Sequence, residues 1–246
     1  HNLNHPNMKK LYLIIIVIVS ILLSNNVNAQ KLTITNQSKS ALSLELKIDN
    51  YDIKEINDGK EILHEVALSS ITIPNDKGKP NLPSVNRFIA VPNNAKAKVV
   101  VNNYKKEILK NINIAPSRGI VSEYDTTNSD YIKDSDIYSK DELFPANIVS
   151  ITEDINLRGV EAIGLNISPI QYNPVRKELI VYTEIELSIE YEGGDSKFGD
   201  DRLRSMHWDP ILQHNILNYN SLPEINYSER FQQWIADNAE GAEYLI

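Results

Sequence analysis

The side chains best suited to acid–base, metal or nucleophilic chemistry are few in this chain, and they lack the partners such chemistry needs. No cysteine occurs, so these residues contain neither a thiol nucleophile nor a disulfide. His64, His207 and His214 have no acidic companion at zinc-binding spacing, and the sequence predicts surface or packing histidines instead of ligands or bases. Asp125, Asp130, Asp134, Asp136 and Asp141 crowd one stretch without the alternating spacing and closing Glu of a calcium loop, which predicts a solvated acidic run. The expectation is no catalytic residue, no metal and no cofactor.

Charge narrows the partners. Of 33 acidic and 25 basic residues, Lys9 and Lys10 belong to an N-terminal targeting segment, which leaves 23 minus 33, or −10, on the rest. No basic stripe offsets that field, so nucleic acid is excluded as a partner. Lys9 and Lys10 precede the apolar run Leu11 to Leu23. Its length falls within the roughly 7–15 residues of a signal-peptide core and short of the roughly 20 needed to span a membrane. Val27 and Ala29 supply the small residues a signal peptidase accepts, placing cleavage between Ala29 and Gln30. Residues 1–29 are therefore read as upstream residues and signal peptide, with export and no stable membrane anchor after cleavage.

The elements that must position any site follow a period of two. Leu42, Leu44, Leu46 and Ile48 alternate with polar residues, and Leu179, Val181, Thr183, Ile185, Leu187, Ile189 and Tyr191 lie opposite Glu184, Glu186, Ser188 and Glu190. Further strands are predicted at Val66 to Ile73, Val85 to Val91, Lys96 to Tyr104, Ile148 to Ile155 and Glu161 to Ile167. Turn signals separate them, such as Asn75 to Pro80 and Gln171-Tyr172-Asn173-Pro174. Many antiparallel strands with one wet face predict an all-β sandwich over 30–194, large enough for one core without disulfides. Ala115 to Phe144 has no sustained alternation and is predicted to be a long surface loop. Residues 195–240 are read as a partly helical linker, with helices around Arg202 to Leu217 and from a Ser228 cap through Trp234.

Gly78-Lys79-Pro80-Asn81-Leu82-Pro83, Arg87 to Pro92, Leu157-Arg158-Gly159-Val160, Ser168 to Pro174 and Lys177 to Tyr182 form an ordered set. In that order and spacing the chain resembles the N-terminal prodomain of gingipain-type cysteine peptidases. The resemblance implies a β-sandwich that keeps the peptidase latent and assists its folding. It implies a secreted or outer-surface precursor exported by the type IX route, with the secretion machinery and the cognate peptidase domain as partners. It also places the catalytic residues beyond Ile246, and residues 241–246 are read as the first of that domain. Two other readings stay open: the retained N-terminal module of a gingipain-like surface sortase, and a stand-alone adhesive or carbohydrate-binding sandwich.

Within the resemblance, latency calls for a substrate-like side chain on a projecting loop. Arg118 is the leading candidate for that inhibitory role, with Lys133 and Lys140 on the same segment. Arg202, Arg204 and Arg230, with Lys197, are the candidate processing sites. Arg87 and Arg158 are read as structural, and Tyr172-Asn173-Pro174 as a turn fixing strand register.

Overall fold

The computed structural model describes residues 30–68, 74–119 and 131–237. The signal segment with Ala29, the end of the expected strand to Ile73, residues 120–130 and those from 238 onward lie outside them. The strands are β1 (Gln30–Gln37), β2 (Ala41–Ile48), β3 (Asp52–Asn57), β4 (Ile62–Ala67), β5 (Val85–Ala90) and β6 (Ala95–Lys110). They continue with β7 (Val149–Ile151), β8 (Ile155–Leu157), β9 (Val160–Ile167), β10 (Ile170–Asn173) and β11 (Glu178–Gly193). The helices are α1 (Ser135–Tyr138), α2 (Asp209–Asn215) and α3 (Tyr227–Asp237).

Alternation turns directly into layers. On β2, Leu42, Leu44, Leu46 and Ile48 are buried, while Lys47 faces solvent. They meet Ile189, Leu187 and Ile185 of β11 in antiparallel register, Leu42 opposite Ile189, Leu44 opposite Leu187 and Leu46 opposite Ile185. β11 is the spine of a five-stranded sheet: β2 and β10 share one of its edges, β6 takes the other, and β1 adds outside β2. A four-stranded sheet has β9 at its centre, with β5 on one side and β7 and β8 on the other. Ile163, Leu165 and Ile167 of β9 and Ile89 of β5 join the β2 and β11 residues in one core. The result is an all-β, antiparallel sandwich, as the alternation predicts.

Bulges tune the long pair of β6 and β11. Thr183 is an extra residue on β11 and Asn102 an extra residue on β6, so the second insertion restores the register that the first one shifts. Val99 and Val101 of β6 thereby stand opposite Ile189 and Leu187.

Three sequence expectations need correction. Gln171-Tyr172-Asn173, read as a turn, is β10, buried along its length. Its Gln171 accepts a 2.7 Å hydrogen bond from the Tyr182 hydroxyl and donates a 2.6 Å bond to the Pro145 carbonyl. A strand buried on both faces has no alternation to betray it, and the turn begins only at Pro174.

The expected linker from Asp195 is the second correction, because its first part is packed on the sandwich. Phe198, Leu212, Ile216 and Leu222 belong to the core. Leu217 donates its N–H to the Phe88 carbonyl at 2.9 Å, along the outer edge of β5. Among the described residues none after Leu222 is buried.

The cap of α3 is the third. Asn226, not Ser228, accepts from the backbone N–H of Glu229 at 3.1 Å.

Candidate functional site

The segment that carries Arg118 leaves the sandwich as part of it. Beyond β6, Asn113 to Ser117 are all buried. His64 of β4 donates its N–H to the Asn113 carbonyl at 2.7 Å and accepts from the Ala115 N–H at 2.9 Å. Ser117 then pairs with the Gly78-Lys79 turn, donating to the Lys79 carbonyl and accepting from the Gly78 N–H, both at 2.8 Å. Arg118, the next residue, is exposed. Gly119 takes φ +80°, with its N–H bonded to the Ser117 hydroxyl at 3.1 Å.

The returning arm lies beside the outgoing one. The N–H of Asp134 donates to the Gly78 carbonyl at 2.9 Å, so Gly78 holds one arm with its N–H and the other with its carbonyl. This close passage needs glycine: φ is +85°, and a Cβ there would stand 3.3 Å from the Cβ of Asp134. Tyr138 of α1 donates its hydroxyl to the Ile114 carbonyl at 3.0 Å, and burial pushes its pKa far above the ordinary tyrosine value. The Arg118 guanidinium rests 5.1 Å from the ring centroid of Tyr131. The two flanks of the predicted surface loop are thus tied down and form a neck, with Arg118 at its open end.

A polar cluster closes the neck from the β3–β4 hairpin. Glu61, in the hairpin turn, accepts from the Asn113 side-chain amide at 2.8 Å and from the Lys133 ammonium. Lys133 also donates to Asn113 Oδ1 at 3.2 Å and lies 5.4 Å from the Tyr138 ring centroid. The hydrogen bond from Lys133 holds the Glu61 carboxyl below its ordinary range against the opposing effect of burial, and Asn113 adds to the lowering.

The three candidate inhibitory residues therefore separate. Arg118 is exposed, Lys133 is engaged inside the neck, and Lys140 is exposed after α1. Nothing in the sequence pattern pointed to Glu61 or Asn113. The Gly78-Lys79-Pro80 motif was noticed, without its role as the bracket between the arms.

The processing candidates also separate. Arg204, with 1 % of its side chain exposed, makes a two-point ion pair with Asp209 and donates to the carbonyl of Pro223 at 2.5 Å. Such a side chain is out of reach of a protease pocket while this fold persists. Arg202 is exposed in the 3₁₀ turn Asp201–Leu203, paired to Asp200. Arg230, in the first turn of α3, donates to the carbonyls of Asp201 at 2.8 Å and Arg202 at 3.3 Å. Arg87 donates to the Asn86 carbonyl at 2.7 Å. The guanidinium of Arg158 lies 4.3 Å from the Trp208 ring centroid.

Among the described residues, Glu45, Glu184 and Glu186 gather their carboxylates closely enough for a cation. Lys47 and Lys105 ion-pair with Glu45 and Glu184 at 2.8 and 3.0 Å, so the group reads as a surface salt-bridge cluster. No described helix is long and apolar enough to cross a membrane.

The described residues form an antiparallel sandwich that contains no cysteine and carries an exposed arginine on a braced neck. The Propeptide_C25 family model matches residues 23–222, and the chain belongs to that family, the N-terminal propeptides of gingipain precursors. The match ends at Leu222, the last buried residue of the packed C-terminal segment.

Gingipain R1 of Porphyromonas gingivalis is 32% identical over 168 residues, 68% of this chain and 17% of that protein. Lys-gingipain of the same species is 20% identical over 187 residues, 74% of this chain and 11% of that protein. The chain thus spans less than a fifth of the length of these relatives. A solved complex of the pro- and mature domains of Porphyromonas gingivalis RgpB matches with TM-score 0.67 and 26% identity, covering 76% of this chain and 97% of that one. A structure concerned with the zymogenic latency of gingipain K shares the fold, at TM-score 0.56 and 19% identity over 68% of this chain and 95% of that one.

Proposed function

We propose that this propeptide keeps a downstream cysteine peptidase of the same precursor latent and assists its folding, with Arg118 as the side chain offered to the peptidase's specificity pocket. The observation that carries the reading is the position of Arg118: an exposed arginine one residue beyond a buried, hydrogen-bonded stretch. A substrate-like side chain on a fixed backbone loses little freedom on binding, which favours tight occupancy of a pocket. The greater identity to Gingipain R1 than to Lys-gingipain, and the engagement of Lys133 within the neck, support arginine over lysine in this role. The cognate peptidase is the partner, and the precursor is exported to the cell surface or beyond by the signal peptide cleaved between Ala29 and Gln30 and by secretion machinery of the type IX kind.

Maturation follows from the same geometry. The sandwich and its packed C-terminal segment run to about Leu222, so the cut that separates propeptide from peptidase falls after that residue, with Arg230 the candidate once α3 unwinds. N-terminal sequencing of the mature enzyme checks this, and a start upstream of Leu222 would overturn it.

The central test is the inhibition constant of the chain from Gln30 onward against the mature peptidase. Arg118→Ala is expected to raise it at least tenfold without changing the thermal midpoint of the propeptide. An unchanged constant would remove Arg118 from the mechanism.

A further inference from the structure

We infer that Glu61, in the β3–β4 turn, is a positioning residue for Arg118: it ties the outgoing arm to the returning arm of the neck and so fixes the direction in which the arginine is presented. The inference rests on the latency reading above and names the device that serves it.

Among the described residues the side-chain bonds of Glu61 run to the two arms and not to Arg118 itself. It accepts from Asn113 Nδ2 at 2.8 Å on the outgoing arm and from the Lys133 ammonium on the returning arm. The two arms are also joined to each other, because Lys133 donates to Asn113 Oδ1 at 3.2 Å. One carboxylate, one ammonium and one amide thus form a closed triangle, and Asn113 is 9 % exposed.

Three further links cross the neck above this triangle. Tyr138 bonds the Ile114 carbonyl, Gly78 bonds both Ser117 and Asp134, and Arg118 lies over Tyr131. Tyr131 is itself steered to the hairpin, its hydroxyl donating to Glu65 of β4 at 3.4 Å. Each contact joins the arms to each other, to the hairpin or to the Gly78 turn, and the Glu61 triangle adds an ion pair to them. A hydrogen bond to an ionised partner is about twice as strong as a neutral one, and its directionality fixes an angle as well as a distance.

Removing that carboxylate leaves the Lys133 charge without its ion pair and the Asn113 amide with its bonds to the Ile62 carbonyl at 3.0 Å and to Lys133, so the charged tie between the arms is lost. The arms then sample directions in which Arg118 misses the pocket, and binding must restore the order that the triangle supplies beforehand.

The test is a double-mutant cycle on the inhibition constant, using the chain from Gln30 onward and the mature peptidase. Glu61→Ala is expected to raise the constant about tenfold, Glu61→Gln to recover part of that loss, and Glu61→Ala to add less than about twofold once Arg118 is already alanine. A merely structural role would add its full effect in both backgrounds. Lys133→Met serves as a second probe from the other arm, and thermal midpoints of all variants identify any that fail to fold. Full additivity with Arg118→Ala, or an unchanged constant for both Glu61→Ala and Lys133→Met, would overturn the positioning role while leaving latency intact. No effect of Arg118→Ala would overturn both.

Discussion

The side-chain amide of Asn218 stands in for a strand beside Ala90, 128 residues earlier in the chain. Asn218 Oδ1 accepts from the Ala90 N–H at 2.7 Å, and its Nδ2 donates to the Ala90 carbonyl at 2.9 Å. Both residues are buried, Ala90 at 0% and Asn218 at 1% exposure. Together with the bond from Leu217 to Phe88, this seals the outer edge of β5, which would otherwise present unpaired backbone groups.

Asn218→Leu is therefore expected to be strongly destabilising despite its apolar surroundings. It strands the buried N–H of Ala90, at about 1–3 kcal/mol, and leaves the Ala90 carbonyl with the 3.4 Å bond from the Tyr191 hydroxyl. Urea denaturation should move the midpoint down with an unchanged slope. A loss below about 0.5 kcal/mol would mean that water or the neighbouring backbone replaces the amide.

Arg204 and Asp209 provide a second test in the same C-terminal segment. Removing one member of a buried pair costs about 3–5 kcal/mol, so Arg204→Met should loosen the segment and speed limited proteolysis at the already exposed Arg202. Arg204→Lys should recover little, since an ammonium cannot reproduce the two-point geometry.

Acid should act on this pair in a defined direction. Burial raises the Asp209 pKa, but the paired Arg204 guanidinium is the chief influence lowering it, and the folded value lies below the ordinary one. Stability from the pair is then fully present above the unfolded value of about 3.9 and is lost as pH falls through the lower folded value. Protection of residues 204–222 from hydrogen exchange should persist through pH 5 and decline only in strong acid.

The core offers a contrast between two apolar residues. Leu44 is 1% exposed between the sheets, and Leu44→Ala should cost about 2–5 kcal/mol. Ile108 of β6 is 49% exposed, and Ile108→Ala should stay within about 0.5 kcal/mol. Thermal or denaturant melts of the two variants check both.

Gly78→Ala tests the bracket of the neck. The left-handed backbone alone costs a side chain about 1–2 kcal/mol, and the Asp134 contact adds to it. Hydrogen exchange should quicken at Ser117 and Asp134 together, because both lean on the same glycine. Faster exchange at only one of them would separate the two arms.

The sheet faces were legible because burial on one side only writes a period of two into β2 and β11. β10 was not legible, since four buried residues carry no alternation. The start of β1 was hidden for the opposite reason: its Gln30-Lys31-Leu32-Thr33 sequence is mixed, and its partner β2 holds it at the sheet edge. The packed segment 195–222 looked like a linker because its anchors, Phe198, Leu212, Ile216 and Leu222, are too widely spaced for any regular period. At the neck, Arg118 stood out as a basic residue on a long predicted surface loop, read together with the family resemblance. Glu61 and Asn113 escaped notice because their meeting depends on two distant stretches of chain converging, which no local pattern records.

β11 carries one last consequence, for the order in which the molecule can assemble. It pairs with β2, β6 and β10, yet it follows all three in the chain. As the polypeptide emerges N-terminus first, β2 and β6 must wait, each with an open edge, until residues 178–193 arrive to lie between them. Such long-range closure is intrinsically slow and leaves sticky edges exposed meanwhile. The five lysines and one glutamate among the sixteen residues of β6 and the glutamates of β11 then have a use before the fold exists, keeping the waiting strands in solution.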